Sequence, residues 1–357
     1  MSKVHNFSAG PCILPQEVLK QASEAVLNFN DLNLSLIEIS HRSKDFVEVM
    51  ENARSLVKEL LNVPDGYQVL FLQGGASLGF LKTAYNFLPQ GETAAYINTG
   101  TWASKAIKEV DQVGKANVIA SSEDKNFSYI PKGYGIPNDA KYLHITSNNT
   151  IAGTQFKNFP ISRIPLICDM SSDIFSREVN VSNFDMIYAG AQKNMGPAGT
   201  TLYIVKESVL GKTGNKIPTM LDLQTHIKKD SMFNTPPVFA VYVSMLTLEW
   251  LKKLGGVPAI EKINQAKADI LYNEIDRNGL FKGVVEKEDR SNMNATFVLN
   301  DESLKDQFDE MWQGANISGI KGHRSVGGYR ASMYNALPKE SVQVLVDVMK
   351  AFEEKYG

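Results

Sequence analysis

Lys193 is the only charged residue between Met186 and Thr200, and its neighbours are small or neutral: Gly190, Ala191, Gln192, Asn194, Gly196, Pro197, Ala198 and Gly199. Small residues let another molecule approach the backbone. A lysine kept from water has its charged form disfavoured, and its amine becomes a usable nucleophile. That chemistry suits a Schiff base with a carbonyl cofactor, above all pyridoxal phosphate. Taken by itself, the same turn also reads as a surface loop with an ordinary lysine.

A partner for the lysine stands one α/β step earlier in the chain. Asp169 closes a short apolar run, Leu166–Cys168. An acid in that place is either a helix cap or a site residue whose carboxylate holds a pyridine nitrogen protonated and turns the ring into an electron sink. Other candidates also stand at the ends of apolar runs. Val69–Gln73 leads into Gly74-Gly75-Ala76-Ser77 and then a helical spacing, which presents free backbone N–H groups to a phosphate. Trp102 opens a helix after the run Ala94–Asn98; it reads as a core tryptophan or as an aromatic face stacked on a flat ring. Ser147-Asn148-Asn149-Thr150 follows the run Tyr142–Thr146. Two basic stretches remain. His41-Arg42 lies in a polar loop, and His323, Arg324 and Arg330 lie among glycines. Each reads as a solvated surface or as an anion clamp, because arginine offers a planar fork that matches carboxylate or phosphate.

These residues need elements to hold them. Seven β-rich runs, at 68–73, 94–98, 117–120, 141–146, 165–169, 185–189 and 200–205, alternate with helical segments. That rhythm predicts an α/β fold with a mostly parallel sheet covered by helices on its faces, and in such sheets the ligand sits beyond the carboxyl ends of the strands. Residues 121–140 read as a long surface loop. A helix over Val238–Leu254 ends at Gly255-Gly256, and the domain boundary is placed there. This gives an N-terminal arm at 1–15, a large domain at 16–256 and a smaller C-terminal α/β domain at 257–357. In the smaller domain, Ala295–Leu299, Ile317–Lys321 and Tyr329–Met333 are expected as strands.

The 357 residues are 43% hydrophobic and 21% charged, with a net charge of −2. That balance offers no basic patch for nucleic acid. No run is long and apolar enough to span a membrane. Two distant cysteines, Cys12 and Cys168, form no motif and suit a reducing compartment, so the expected location is cytoplasmic. No metal is expected.

With these pieces side by side, the chain resembles the phosphoserine aminotransferases, a family in the class V group of fold-type I pyridoxal-phosphate enzymes. The likeness rests on NFSAGP (6–11), EISHRS (38–43), QGGAS (73–77), TGTWA (99–103), DMSSDI (169–174), YAGAQKNMGPAG (188–199), SMFNTPP (231–237) and KGHRSVGGYRASMYNA (321–336). The resemblance implies that Lys193 carries pyridoxal 5'-phosphate, Asp169 pairs with its ring nitrogen, Trp102 stacks on the ring and Thr150 contacts it. Ala76, Ser77 and Gln192 would hold its phosphate, with Asn234 and Thr235 reaching the same phosphate from the partner in a homodimer with shared active sites. His41, Arg42, His323, Arg324 and Arg330 would clamp the substrates, with Arg330 on the amino-acid carboxylate. The implied reaction is reversible transamination between glutamate and 3-phosphohydroxypyruvate in serine biosynthesis, with a phosphohydroxythreonine step of vitamin B6 synthesis as a side role. Residue 9 is Ala where some members have Ser, and Ala76-Ser77 stands where some have Gly-Arg. The second change removes a positive charge but leaves backbone N–H groups and a hydroxyl.

The rival readings fare worse on residues. A desulfurase of the same group needs a cysteine nucleophile on a mobile loop, and neither Cys12 nor Cys168 is so placed. A sister small-substrate aminotransferase would share the fold and Lys193 but not the substrate. A non-catalytic phosphate-binding α/β protein would carry no chromophore on Lys193. An NAD-linked dehydrogenase would need GxGxxG after a strand, which is absent.

Overall fold

A computed structural model describes residues 3–324 and 326–357. Its centre is a seven-stranded sheet of β1 (Tyr67–Leu72), β2 (Thr93–Asn98), β3 (Lys115–Ser121), β4 (Leu143–Thr146), β5 (Leu166–Asp169), β6 (Met186–Gly190) and β7 (Thr201–Lys206), in the spatial order β1-β7-β6-β5-β4-β2-β3. Only β7 runs against its neighbours. The carboxyl ends of the other six strands therefore open on one edge, where ligands bind in such sheets.

Successive side chains of each strand point to opposite faces, and because both faces are covered the central strands are apolar on both. Val69, Phe71, Ile97, Ile145, Cys168, Ile187 and Ile204 point into one core. That core is closed by α1 (Gln16–Leu27), α2 (Lys44–Leu60) and α5 (Val238–Lys253). Leu70, Leu72, Tyr96, Ile167, Tyr188 and Tyr203 point into the other, closed by α3 (Gly75–Phe87) and α4 (Thr101–Val110). Two-residue periodicity then places Thr146 and Asp169 on the α3/α4 face, at the open ends of their strands.

A third core lies beyond α6 (Gly256–Arg277). This helix is shared: Val257 and Ile260 enter the core closed by α1, α2 and α5, while Ala268, Leu271 and Ile275 enter the third. The rest of the third core comes from an antiparallel sheet, β8 (Phe281–Gly283), β9 (Asn294–Leu299) and β10 (Tyr329–Ser332), from α7 (Lys305–Gly314) and α8 (Lys339–Tyr356), and from Phe7. The expected strand Ile317–Lys321 is broken in two: Ile317–Ser318 pairs in parallel with His5–Asn6, near the opposite end of the chain, while Lys321 forms an antiparallel bridge to Tyr329 on β10 and the Ile320 carbonyl accepts from the Arg330 N–H at 2.7 Å. Residues 121–140 are largely an exposed loop, as expected, but the loop is anchored. Ile130 is buried, its N–H donates to Asp289 Oδ2 at 2.9 Å, and the N–H of Glu286 donates to the Ser128 carbonyl at 2.9 Å. The segment thus ties the two units together. No helix among the described residues is long and apolar enough to cross a membrane.

Candidate active site

A cavity of about 320 Å3 opens at the carboxyl edge of the large sheet. Its lining brings together Lys193, Asp169, Trp102, Thr150, Gln192, Ala76, Ser77, His323 and Arg330 from turns that are far apart in sequence. Lys193 follows β6 and is buried. Its Nζ donates to Thr150 Oγ1 at 2.8 Å and Ser172 Oγ at 2.9 Å, and these two hydroxyls lie 2.6 Å apart. Burial, with help from the positive charge of Arg330, pushes the ammonium pKa down to about 8, although Asp169 pulls the other way. At neutral pH a usable fraction of the amine is therefore unprotonated.

Asp169 ends β5. Burial raises its carboxyl pKa, while the hydrogen bonds of Ser171 and the charge of Lys193 pull it back. One oxygen accepts from the Ser171 N–H at 2.9 Å. Its strand neighbour Thr146 also lines the cavity, and the Thr146 hydroxyl is buried without a partner among the described residues. Trp102, in the first turn of α4, forms a wall. Lys105 Nζ lies 4.5 Å from the indole centroid, and the buried indole N–H likewise finds no partner among the described residues.

Opposite the lysine, β1 turns into α3 through Gly74, whose φ of +108° falls where side chains rarely go, and where an added Cβ would come within 2.4 Å of Leu78. The turn exposes the first N–H groups of α3, from Gly75 to Ser77, which have no acceptor inside the helix. Together with the helix dipole they form an anion cradle.

On the remaining side Arg330, on β10, donates from Nη1 to the Thr150 carbonyl at 3.4 Å, and its Nε has no partner among the described residues. Five expected residues are not at this cavity. Asn234 donates to Gln73 Oε1 at 3.2 Å, and Gln73 Nε2 donates to the Thr235 carbonyl at 2.8 Å, so both lie beside the β1–α3 turn but outside the cavity. His41 is half-buried, with its Nε2 unpartnered among the described residues, and Arg42 is exposed; neither lines the cavity. Arg324 is exposed next to His323 and does not line it either.

Residues not singled out by sequence complete the site. Ser172 shares the lysine with Thr150, and its place in Asp169-Met-Ser-Ser was the available signal. Cys12 donates its thiol to the Lys193 carbonyl at 2.8 Å and its N–H to the Gln192 carbonyl at 3.2 Å. Burial pushes that thiol up to about 12, so it stays protonated. Nothing local in Gly10-Pro11-Cys12 announces a contact with so distant a part of the chain. Among the described residues no group of three or more His, Cys, Asp or Glu could hold a metal ion.

The donor set fits pyridoxal phosphate. A buried, partly neutral amine, a buried carboxylate, an indole wall and a helix-start cradle match, in turn, an aldehyde, a ring nitrogen, a ring face and a phosphate. Comparison with known proteins agrees. The family model described as aminotransferase class-V matches residues 4–345. A phosphoserine aminotransferase of Flavobacterium psychrophilum is 66% identical over 354 residues, covering 99% of both chains. A solved phosphoserine aminotransferase from Bacillus circulans subsp. alkalophilus superposes with a TM-score of 0.96 at 44% identity, covering 99% of each chain. A phosphoserine aminotransferase from Trichomonas vaginalis, solved with PLP bound, gives 0.92 at 35% identity, covering 98% of this chain and 100% of that one.

Proposed function

The chain belongs to the class V aminotransferases, and from that premise we propose that it is a phosphoserine aminotransferase. It transfers the amino group of glutamate to 3-phosphohydroxypyruvate, reversibly, giving O-phospho-L-serine and 2-oxoglutarate in serine biosynthesis. The observation that carries this reading is Lys193, buried and partly neutral, in one cavity with Asp169, Trp102 and Arg330.

Bound pyridoxal phosphate would supply an electron-withdrawing ring that lets the α-proton of an amino acid leave. The protein does the rest. Lys193 Nζ takes that proton and returns it, a task suited to an amine near neutral pKa. Asp169 keeps a proton on the ring nitrogen. Trp102 covers the ring and excludes water. Ala76, Ser77 and Gln192 hold the cofactor phosphate, with Thr150 on the lysine side. Arg330 grips the substrate carboxylate with its fork, while His323, which also lines the cavity, serves the far anionic end, with the exposed Arg324 as its neighbour in sequence.

His41, Arg42, Asn234 and Thr235 lie outside their own chain's cavity, so as site residues they act from a second copy, and the active form is a homodimer with shared sites. Exposed Leu34, Ile37, Phe233 and Phe239 flank these segments, an apolar surface of the kind a partner covers. The unpaired Cys12 and Cys168 suit a reducing cytoplasm.

The test is product analysis. Glutamate with 3-phosphohydroxypyruvate should yield phosphoserine and 2-oxoglutarate in equal amounts, at a rate far above that with pyruvate or glyoxylate. Faster turnover of an unphosphorylated keto acid would move the substrate to a sister family.

A further inference from the structure

Between the two units lies a layer of buried polar side chains that runs from Lys193 to the strand carrying Arg330. Lys193 Nζ donates to Ser172 Oγ at 2.9 Å, and Ser172 Oγ donates to the Asn148 carbonyl at 3.2 Å. The Asn148 side chain crosses to the second unit: Nδ2 donates to Asn294 Oδ1 at 2.7 Å, and Oδ1 accepts from the Ser291 hydroxyl. Asn294 Nδ2 then donates to Ser332 Oγ at 3.0 Å and Tyr334 OH at 3.3 Å, and Tyr334 OH donates to the Ala9 carbonyl at 2.9 Å. Asn294 sits opposite Ser332 in the sheet, and Thr296 opposite Arg330. Asn294 and Arg330 are therefore close neighbours along the same two strands.

We propose that Asn148 and Asn294 are positioning residues, an amide pair that fixes the placement of the Arg330 fork relative to the Lys193 amine. The accounting of donors and acceptors supports this. Turning either amide over would set NH2 against NH2 or oxygen against oxygen across the pair, so the contact is satisfied in one relative orientation. Both residues are almost wholly buried, as are Ser291, Ser332 and Tyr334. Apolar residues of similar size would fill this layer without the desolvation that buried amides suffer, but apolar faces can slide over one another. A directional pair cannot slide, and it sits on the strands and turn that hold the two groups whose separation the reaction depends on.

This inference rests on the transaminase reading, and its test is a double-mutant cycle on the holoenzyme. Asn294→Ala should lower kcat about tenfold, while the calorimetric Kd of maleate, a non-reacting dicarboxylate, changes less than about threefold, since Arg330 still binds but is misplaced. In an Arg330→Lys background the same substitution should cost less than about threefold, because the fork it places is gone. Ser332→Ala removes one hydroxyl from the far end of the layer and should lower kcat by about threefold in the same pattern, which keeps the question answerable if Asn294→Ala does not fold. Equal losses in both backgrounds, or a maleate Kd that weakens in step with kcat, would overturn the proposal. A wild-type enzyme that turns over a different keto acid would count against the substrate reading alone, and the same cycle run on that substrate would then judge the amide pair.

Discussion

Lys193 and Lys267 are both buried lysines with depressed pKa values, and they sit in opposite surroundings. Lys267, on α6, is fully buried, and burial pushes its pKa down to about 7. Its Nζ donates to the carbonyls of Met333, Tyr334 and Leu337 at 3.0, 2.8 and 3.2 Å. Carbonyl oxygens only accept, so all three protons of the ammonium are used, and none of these partners lines the cavity at Lys193. Lys193 instead meets two hydroxyls, which accept from the ammonium and can donate to the free amine, and it faces that cavity. Burial and a lowered pKa therefore do not distinguish the two lysines. The partners' chemistry and the open space beside the amine do, and they are what support the proposed role of Lys193.

Substitutions separate the two lysines. Lys193→Ala should reduce turnover by at least about 1,000-fold, with the melting temperature barely changed, as read by a steady-state assay and thermal unfolding. Residual activity near wild type would end the distinction. Asp169→Asn should lower kcat on the order of 100-fold, because an amide cannot hold the ring nitrogen's proton by charge. Lys267→Met should do the converse. Three buried carbonyls lose their donors, so stability should fall by about 3 kcal/mol, while turnover per folded molecule stays within about threefold. A large loss of rate without a loss of stability would place Lys267 in the chemistry after all.

Proton linkage offers a finer contrast. Capture of pyridoxal phosphate by the cofactor-free protein needs the free amine of Lys193. Its rate should climb with pH and level off above about 8. The linkage sign follows from the lowered folded pKa. The unfolded chain binds the proton more tightly between about 8 and 10.5, so the Lys193 term favours folding as pH rises through that window. Ser172→Ala removes one acceptor of the ammonium and should move the capture midpoint down by about half a unit, the smallest effect expected here.

Much of this contrast was legible in the sequence. Lys193 stands out because nothing charged surrounds it and because its turn lies between two β-rich runs. The large-sheet strands were readable as β-rich runs followed by turns, although in the edge strand Lys115–Ser121 the continuous apolar run is only Val118–Ala120. Their spatial order was not readable, since it depends on pairings between distant segments. Lys267 lies in an ordinary helical stretch, Gln265-Ala-Lys-Ala-Asp269, and only its three carbonyl partners, far along the chain, reveal its role. The same holds for Ile317–Ser318, whose partner is His5–Asn6, and for Asn148 and Asn294: Asn148 reads only as part of a polar cluster at a strand end, and its amide pairing with Asn294 emerges when the two units meet. Residues whose roles depend on local chemistry could be read; residues whose roles depend on long-range closure could not.

The most direct test of the central claim is the visible absorption spectrum of the pyridoxal-phosphate-loaded protein and of Lys193→Ala, followed as glutamate and then 3-phosphohydroxypyruvate are added. The wild type should show a visible band that glutamate bleaches and the phosphorylated keto acid restores, with no such cycle in the variant. A wild-type protein that stays colourless with pyridoxal phosphate, or a variant that cycles as well as the wild type, would contradict that claim.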